Sequence, residues 1–299
     1  MTRIGVIAHE GKVLGGGLEE LRSALADLGH ADPPWYEVSK SKKAPKKVRK
    51  LVEDGVDRVL VWGGDGTVRR CIDTVIDKKL DVEIGILPAG TGNLLATNLG
   101  IPIDLGGAVD IAVNGSPDAL DVGVMNGEYF AVMAGTGFDA LMIRDADESG
   151  LKDRFGRAGY VWAGINNIDV SPAQATVEID GEPWYSGDAT CVIVANVGTI
   201  LGGVQAFPDA SPTDGRLDVG VVQARSRTDW ARVMASAVAR RAASSALTEM
   251  TTATQVTVRL DRTFPWEVDG GDRERTDTYE VRCIPQAVRI CQPRREETK

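Results

Sequence analysis

The first 118 residues alternate short β-branched runs with stretches whose apolar residues recur at helical spacing. Strands are predicted at residues 4–8, 35–38, 58–62 and 84–87, and a helical pattern follows each strand. Helices that connect successive strands are typical of a parallel sheet with helices on its faces. We therefore expect an α/β domain over residues 1–118.

From residue 119 the pattern changes to short strands separated by turn residues. Asn126-Gly127 and Asp180-Gly181 each stand between two strand-like runs, which is a strong signal for a β-hairpin. Short strands joined in this way predict an antiparallel β-sandwich over residues 119–285, interrupted by helices at 160–168 and 230–247. The last predicted strand, at 287–291, could return to the first domain, which residues 286–299 would then complete.

Composition excludes several classes of protein. The longest apolar runs, such as residues 191–195, are far shorter than the ~18 residues of a membrane span. The N-terminus lacks the apolar core of a signal peptide, and the four cysteines are scattered, so we expect a cytoplasmic protein with free thiols. Two histidines are too few for a histidine-based metal site, and a net charge of −9 argues against a nucleic-acid partner.

One segment departs from the acidic character of the chain. Residues 40–50 carry seven basic residues and no acidic one. The segment is either a solvated helix start or a patch for polyanions, and the polyanion would be nucleotide phosphate or an anionic membrane surface.

Two glycine-rich loops follow predicted strands directly and precede predicted helices. They are Gly63-Gly64-Asp65-Gly66-Thr67 and Pro88-Ala89-Gly90-Thr91-Gly92-Asn93. Ligands of open α/β sheets bind at the carboxyl ends of strands, where glycines let backbone N–H groups approach phosphate oxygens. A carboxylate among those glycines indicates Mg²⁺. The alternatives are tight turns in which Asp65 and Asn93 only cap the next helix. Neither loop matches the P-loop or the dinucleotide-binding motif.

The two loops together resemble the diacylglycerol kinase catalytic family, which includes bacterial soluble lipid kinases and the sphingosine and ceramide kinases. The first loop alone is shared with NAD kinases, whereas Gly90-Thr91-Gly92-Asn93 is more specific for the lipid-kinase branch. Further similar segments extend the resemblance over most of the chain. They are Asp121 in its strand, residues 135–139, residues 208–219 and residues 268–270.

The resemblance implies ATP-dependent, Mg²⁺-assisted phosphorylation of a lipid hydroxyl, with diacylglycerol the default acceptor, at the inner membrane face. It implies a phosphofructokinase- or NAD-kinase-like α/β domain and a β-sandwich domain with the active site between them; a homodimer is a further expectation. The residues carried over for ATP are Ser39, Gly63, Gly64, Asp65, Gly66, Thr67, Val68, Arg69, Gly90, Thr91, Gly92 and Asn93. Those carried over for Mg²⁺ are Asp65 and Asp121 and, at a second site, Ser211, Asp214 and Arg216. Asp269 is carried over as the catalytic base, with Asp65 in the catalytic network.

The chain also departs from the family pattern. Residues 8–12 replace the usual first loop, Leu94 stands where many members have aspartate, and Thr97 replaces an arginine. Gly271 stands where the family has the glutamate of its late Asp-Gly-Glu element, and Asp272 follows it.

Two alternative functions therefore stay open. One is an NAD kinase-like or other small-molecule kinase of the same superfamily. An apolar tunnel beneath the side chains of Phe138, Leu141, Met142 and Trp162 would argue against it. The other is a catalytically weakened, nucleotide-binding regulatory protein, which the missing glutamate at Gly271 favours.

Overall fold

A computed structural model describes residues 2–137, 171–200, 204–239 and 245–294 of the chain. The chain divides into two compact units. Unit 1 comprises residues 1–120 and 286–299, and unit 2 comprises residues 121–285. The expected boundary lay at residue 118. The helix predicted at 160–168 and the tunnel residues 138–162 lie outside the described residues.

Unit 1 is a parallel sheet with helices between its strands. Its strands are β1 (Ile4–His9), β2 (Trp35–Val38), β3 (Arg58–Gly63) and β4 (Glu83–Pro88). Its helices are α1 (Leu18–Asp27), α2 (Ala44–Glu53), α3 (Asp65–Asp77), α4 (Leu94–Asn98) and α5 (Leu105–Asn114). The strand order is β2-β1-β3-β4, all parallel, and residues 289–290 near the C-terminus add a parallel strand beside β4.

The core of unit 1 explains why these segments fold as they do. Every residue of β3 is buried, as expected for a strand covered on both faces. The helices turn apolar stripes towards the sheet, with Leu21 and Leu25 of α1 and Val48 and Leu51 of α2 fully buried. The parallel register brings the ends of β3 and β4 together, with Gly63 opposite Pro88, so both glycine-rich loops leave the same edge of the sheet.

Unit 2 is built of antiparallel strands, as the sequence predicts. Its strands are β5 (Ser116–Met125, which begins in unit 1), β6 (Glu128–Phe130), β7 (Met133–Thr136), β8 (Ala173–Ile179), β9 (Glu182–Ala189), β10 (Cys191–Ala195), β11 (Thr199–Ile200), β12 (Val204–Gln205), β13 (Leu217–Val222), β14 (Thr248–Ala253), β15 (Gln255–Val268) and β16 (Gly271–Gln292, which ends in unit 1). Its helix is α6 (Arg227–Val238). This helix begins three residues earlier than predicted, where the Ser226 side chain caps it, and it ends at Val238, before β14 begins at Thr248.

Three hairpins of unit 2 use the same two-residue turn. Asn126-Gly127, Asp180-Gly181 and Asp269-Gly270 join β5 to β6, β8 to β9 and β15 to β16. In each turn both residues have positive φ, between 45° and 89°. This geometry defines the type I′ turn, for which Asn-Gly and Asp-Gly are the preferred sequences. The first two hairpins were predicted and are confirmed.

The strand register gives the sheet of unit 2 two distinct faces. One face packs into the hydrophobic core, and its aligned residues on successive strands are Val268, Ala134, Val194 and Val219. The opposite face carries the alternate positions of the same strands, and its aligned row is Glu267, Gly135, Ile193, Gly220 and Met250. Because side chains alternate along a strand, these two rows point away from each other.

Candidate functional site

The two glycine-rich loops of unit 1 contact each other through their backbones. A Cβ added to Gly90 would lie 2.4 Å from the Cα of Gly64, and one added to Gly64 would lie 3.0 Å from the Cα of Gly90. Both distances are too short for side chains, so glycine is required at both positions for the loops to approach. Gly63 is also constrained, because its Cβ would lie 2.7 Å from that of Thr67.

Gly66 is different, because no contact with the described residues explains its lack of a side chain. It is exposed in the first turn of α3, and a Cβ added there would meet no atom within 4 Å. Its φ is not in the positive range that favours glycine. The space above Gly66 therefore lies open beside a helix N-terminus, where backbone N–H groups and the helix dipole favour an anion.

Asp65 joins the two loops. Its carboxylate accepts a hydrogen bond of 3.4 Å from the N–H of Leu95, and a Cβ on Gly92 would lie 3.0 Å from its Oδ2 atom. Burial raises the pKa of the Asp65 carboxyl, and the N–H groups of Leu95, Leu94 and Asn93 oppose that rise. The first amides of α4 therefore face a carboxylate of the protein.

Asn93 holds the second loop in shape. Its side-chain oxygen accepts the Gly90 N–H at 2.9 Å, and its amide group donates to the carbonyls of Pro88 and Gly90 at 3.2 and 2.8 Å. The side chain is buried and fully used within the loop. Thr91 and Gly92 are exposed, so they are the members of this loop that remain open to a ligand.

The remaining residues predicted for ATP differ in accessibility. Thr67 and Val68 are buried, and Arg69 pairs with Asp73 at 3.6 Å. Ser39 is exposed and accepts a hydrogen bond of 2.9 Å from Lys43.

Ser41 was not identified from the sequence. Its hydroxyl shares a hydrogen bond of 2.9 Å with that of Thr67, which ties the basic segment to the start of α3. No motif marks Ser41, because the contact depends on how α3 packs against the turn at residues 41–43.

In unit 2, Asp121 and Asp214 meet at one loop. Buried Asp121 accepts the N–H of Gly215 at 2.6 Å and donates its own N–H to the Pro212 carbonyl at 2.8 Å. Asp214 accepts the N–H of Arg216 at 2.9 Å. The Arg216 side chain points to Thr252 instead, and the Ser211 hydroxyl contacts that of Thr213, so Arg216 could offer a metal only its backbone.

The carboxylates at these two places can be compared with the ligands that Mg²⁺ requires. The described residues contain no group of three or more His, Cys, Asp or Glu side chains that could hold a metal ion. Mg²⁺ commonly uses one or two carboxylates together with water and substrate phosphates. Asp65, beside the open space at Gly66, fits that requirement. Asp214 and Asp121, which bind successive backbone N–H groups of the same loop, fit it at the second predicted site.

Asp269 lies in the type I′ turn between β15 and β16. Its Oδ1 accepts the N–H groups of Val132 and Met133 at 2.9 and 3.0 Å, and its Oδ2 accepts that of Ala131 at 2.9 Å. The carboxylate therefore fastens the hairpin to residues 131–133 at the start of β7. Asp272 is the second residue of β16.

The place of the missing glutamate is taken by Arg273. A Cβ added to Gly271 would lie 2.9 Å from a guanidinium nitrogen of Arg273, which also donates to the Gly271 carbonyl. The same guanidinium forms a salt bridge with Glu128 of β6. A second carboxylate that the sequence did not single out is Glu267, which is 4% exposed on β15.

Comparison with known proteins identifies the family. Residues 12–125 match the diacylglycerol kinase catalytic domain, and residues 132–292 match the YegS C-terminal NAD kinase beta sandwich-like domain. A probable lipid kinase YegS-like of Pectobacterium atrosepticum is 32% identical over 70% of this chain and 71% of its own length. This chain belongs to the diacylglycerol kinase and YegS-like lipid kinase family.

Other relatives agree over nearly the whole chain. A diacylglycerol kinase of Mycobacterium tuberculosis is 28% identical over 94% of this chain and 92% of its own length. The structure of a diacylglycerol kinase from Bacillus anthracis matches with a TM-score of 0.76 at 17% identity, covering 97% of this chain and 96% of that one. An Archaeoglobus fulgidus NAD kinase matches at 0.52 and 10% identity, covering 97% of this chain and 93% of its own.

These matches confirm the predicted family, and the structural ones confirm the fold class. Family membership makes the chain a lipid kinase. None of the helices in the described ranges has the length and apolarity to cross a membrane.

Proposed function

We propose that this lipid kinase transfers the γ-phosphoryl group of ATP to the hydroxyl of diacylglycerol. The observation that carries the nucleotide half of the proposal is the edge of the unit 1 sheet at Gly66. There two glycine-rich loops meet, and the one glycine without a steric reason faces open space. A phosphate placed above Gly66 would explain the absence of a side chain.

The nucleotide is proposed to lie with its phosphates at the start of α3. The exposed groups available there are Gly66, Thr91 and Gly92, with Ser39 and Lys43 on the neighbouring turn. Mg²⁺ supplies charge neutralisation to phosphoryl transfer when it is bound. Asp65 would hold it, and a cation there would favour the ionised form that burial opposes. Ser211, Asp214 and Arg216 are proposed to form the second Mg²⁺ site. The sequence grouped Asp121 with Asp65, but Asp121 binds the N–H of Gly215 beside Asp214, so we assign it to this second site instead.

The acceptor is proposed to be held by unit 2. The acceptor oxygen forms a bond to the γ-phosphorus while the bond to the bridging oxygen of ADP breaks, and the hydroxyl proton passes to a carboxylate. Asp269 is our candidate for that carboxylate, because three backbone N–H groups fix its position.

Glu267 is the second candidate for the base. It is a buried carboxylate near the end of β15, two residues before Asp269, and it lies on the sheet face that also carries Ile193. We expect Glu267→Gln to lower turnover and leave ATP affinity unchanged if Glu267 contacts the acceptor hydroxyl.

The kinase is further proposed to act in the cytoplasm, at the inner face of the membrane. The support is the basic segment, in which Lys42, Lys43 and Lys46 are exposed. Each basic residue near an anionic surface contributes about 1 kcal/mol to membrane binding.

Substitution of Gly66 tests the nucleotide site without damaging the fold. Alanine is a better helix former than glycine by about 1 kcal/mol, and the added Cβ meets no protein atom, so Gly66→Ala is expected to stabilise the protein slightly. The same Cβ would obstruct a phosphate. We therefore expect ATP affinity, measured by calorimetry, to fall at least tenfold in Gly66→Ala and further in Gly66→Val.

Gly127→Ala is the matched control, since Gly127 also faces open space but lies in a hairpin of unit 2. It is expected to lose stability at its positive φ and to keep wild-type ATP affinity. Wild-type affinity in both Gly66 variants would contradict the proposed phosphate position.

A further inference from the structure

Asn196 is a buried polar residue of unit 2 that follows β10 directly, and it is 1% exposed. Its backbone N–H donates to the carbonyl of Val132 at 2.9 Å, which continues the pairing of β10 with β7 by one residue. Its side-chain NH₂ group donates to the carbonyl of Ala131 at 3.1 Å and to that of Asp121 at 2.8 Å. Both hydrogens of the NH₂ group are therefore used.

Two of these three carbonyls belong to the peptide groups that bind Asp269. The Ala131 carbonyl shares a peptide group with the N–H of Val132, and the Val132 carbonyl shares one with the N–H of Met133. Both N–H groups donate to Oδ1 of Asp269, at 2.9 and 3.0 Å. Each peptide group is thus held at its oxygen by Asn196 and at its nitrogen by Asp269. Hydrogen bonds that share a group in this way polarise and orient one another.

The oxygen of the Asn196 side chain adds nothing to this arrangement. Its Oδ1 atom is buried and accepts no hydrogen bond within the ranges that the structure describes. A buried polar atom without a partner is unfavourable, so a residue that only filled this space would be apolar. The contribution of the side chain therefore lies in the two bonds that its NH₂ group donates.

We propose that Asn196 is a positioning residue for phosphoryl transfer, which acts by orienting the peptide groups that fix Asp269. This inference rests on the proposed function, because it takes Asp269 as the carboxylate that receives the acceptor proton. The second side-chain bond, to the Asp121 carbonyl, fixes the carboxamide between β5 and residues 131–133. Asn196 acts through Asp269 and has no need to touch a reacting atom.

Replacing Asn196 by alanine removes both side-chain bonds and keeps the backbone N–H. A small misplacement of a catalytic group costs up to about a hundredfold in rate, so we expect turnover to fall about ten- to hundredfold in Asn196→Ala. The KM for ATP should stay within about twofold of the wild type, because an interaction that acts only on the chemical step leaves nucleotide binding unchanged. In the Asp269→Asn background the same change should lower turnover by no more than about twofold, because the carboxylate that Asn196 positions is already gone. All variants are assayed at a temperature where they are fully folded.

Thr190→Val is the matched control. Thr190 precedes β10 as Asn196 follows it, and it is 3% exposed. Its hydroxyl donates to the carbonyl of Val222 on β13 at 3.0 Å, so the valine variant also leaves a buried carbonyl with one donor fewer. That carbonyl is not part of a peptide group that binds Asp269. Thr190→Val is therefore expected to lose stability and to keep wild-type turnover.

Hydrogen exchange measured by NMR reports the same contact without catalysis. Loss of one hydrogen bond should make the Val132 amide hydrogen exchange about two- to tenfold faster in Asn196→Ala than in Thr190→Val. The Met133 amide should change less, because the variant keeps the backbone bond to its peptide group. If the alanine variant does not fold, Asn196→Ser removes less of the side chain and should show the same order of effects.

Unchanged turnover in Asn196→Ala would overturn the inference, as would full multiplication of its loss with that of Asp269→Asn. Equal exchange of the Val132 amide in Asn196→Ala and Thr190→Val would overturn it as well. Because exchange is measured without ATP or lipid, the outcome is separable from that of the proposed function. Asn196-dependent protection of Val132 in a protein that phosphorylates no lipid would refute the proposed activity and leave Asn196 as the residue that orients the Asp269 anchor. Lipid phosphorylation that Asn196→Ala leaves unchanged would overturn the inference alone.

Discussion

Replacing Asp269 by asparagine should lower the stability of the folded protein, independently of any role of Asp269 in catalysis. The Asp269 carboxylate accepts three backbone N–H bonds of 2.9 to 3.0 Å, from Ala131, Val132 and Met133. Asparagine has the same shape but carries an NH₂ group in place of one carboxylate oxygen. In its better orientation the side-chain oxygen keeps Val132 and Met133, and the NH₂ group faces the N–H of Ala131.

The expected cost follows from these contacts. One hydrogen bond to a charged acceptor is lost, which is worth about 1.5–3 kcal/mol, and the Ala131 N–H is left facing another donor. The two retained bonds lose the charge on their acceptor and with it about half of their strength. We therefore expect the free energy of unfolding to fall by about 3–5 kcal/mol. For a protein of 299 residues that lowers Tm by roughly 5–8 °C.

Urea denaturation and scanning calorimetry measure this change directly. Asp277→Asn is the control. Asp277 is exposed on β16, the strand that follows the Asp269 turn, so its substitution should change stability by no more than about 0.5 kcal/mol. A loss below about 1 kcal/mol in Asp269→Asn would refute the three-bond anchor. Turnover of this variant is meaningful only at a temperature where it is fully folded.

Three further predictions follow from single features. Gly90→Ala places a Cβ 2.4 Å from the Cα of Gly64, so it should push the two loops apart and weaken ATP binding at least tenfold. Circular dichroism should show unchanged secondary structure in this variant. Burial and, secondarily, the carboxylates of neighbouring aspartates raise the pKa of Asp218 from 3.8 to about 6, so the folded state loses stability as pH rises from 4 to 6. Asp218→Asn should therefore stabilise the protein more at pH 7.5 than at pH 4, and an equal effect at both values would contradict this. Changing the four lysines of residues 42–47 to glutamine should reduce binding to anionic vesicles, and binding of the unsubstituted protein should fall as salt rises; binding that ignores salt would remove the membrane role of this segment.

The sequence predicts those features that depend on local chemistry. The hairpins at Asn126-Gly127 and Asp180-Gly181 follow from the positive φ that such turns require. The loops at Gly63 and Gly90 end predicted strands of a parallel sheet, so their meeting at one edge follows from the α/β pattern.

The sequence does not reveal contacts that depend on long-range packing. Nothing near Asp269 indicates that its carboxylate binds amides 136 to 138 residues earlier in the chain. The roles of Asp65 and Asn93 within the loops likewise depend on side-chain geometry.

Transfer of label from [γ-³²P]ATP to dioleoylglycerol in Mg²⁺-containing mixed vesicles is the most direct test of the proposed activity. Parallel reactions contain sphingosine, ceramide or NAD as the acceptor. Our account predicts a labelled lipid phosphate from dioleoylglycerol, no labelled NAD, and loss of the product in Gly66→Val while that variant stays folded. ATP binding without transfer to any lipid, or transfer to NAD instead, would contradict it.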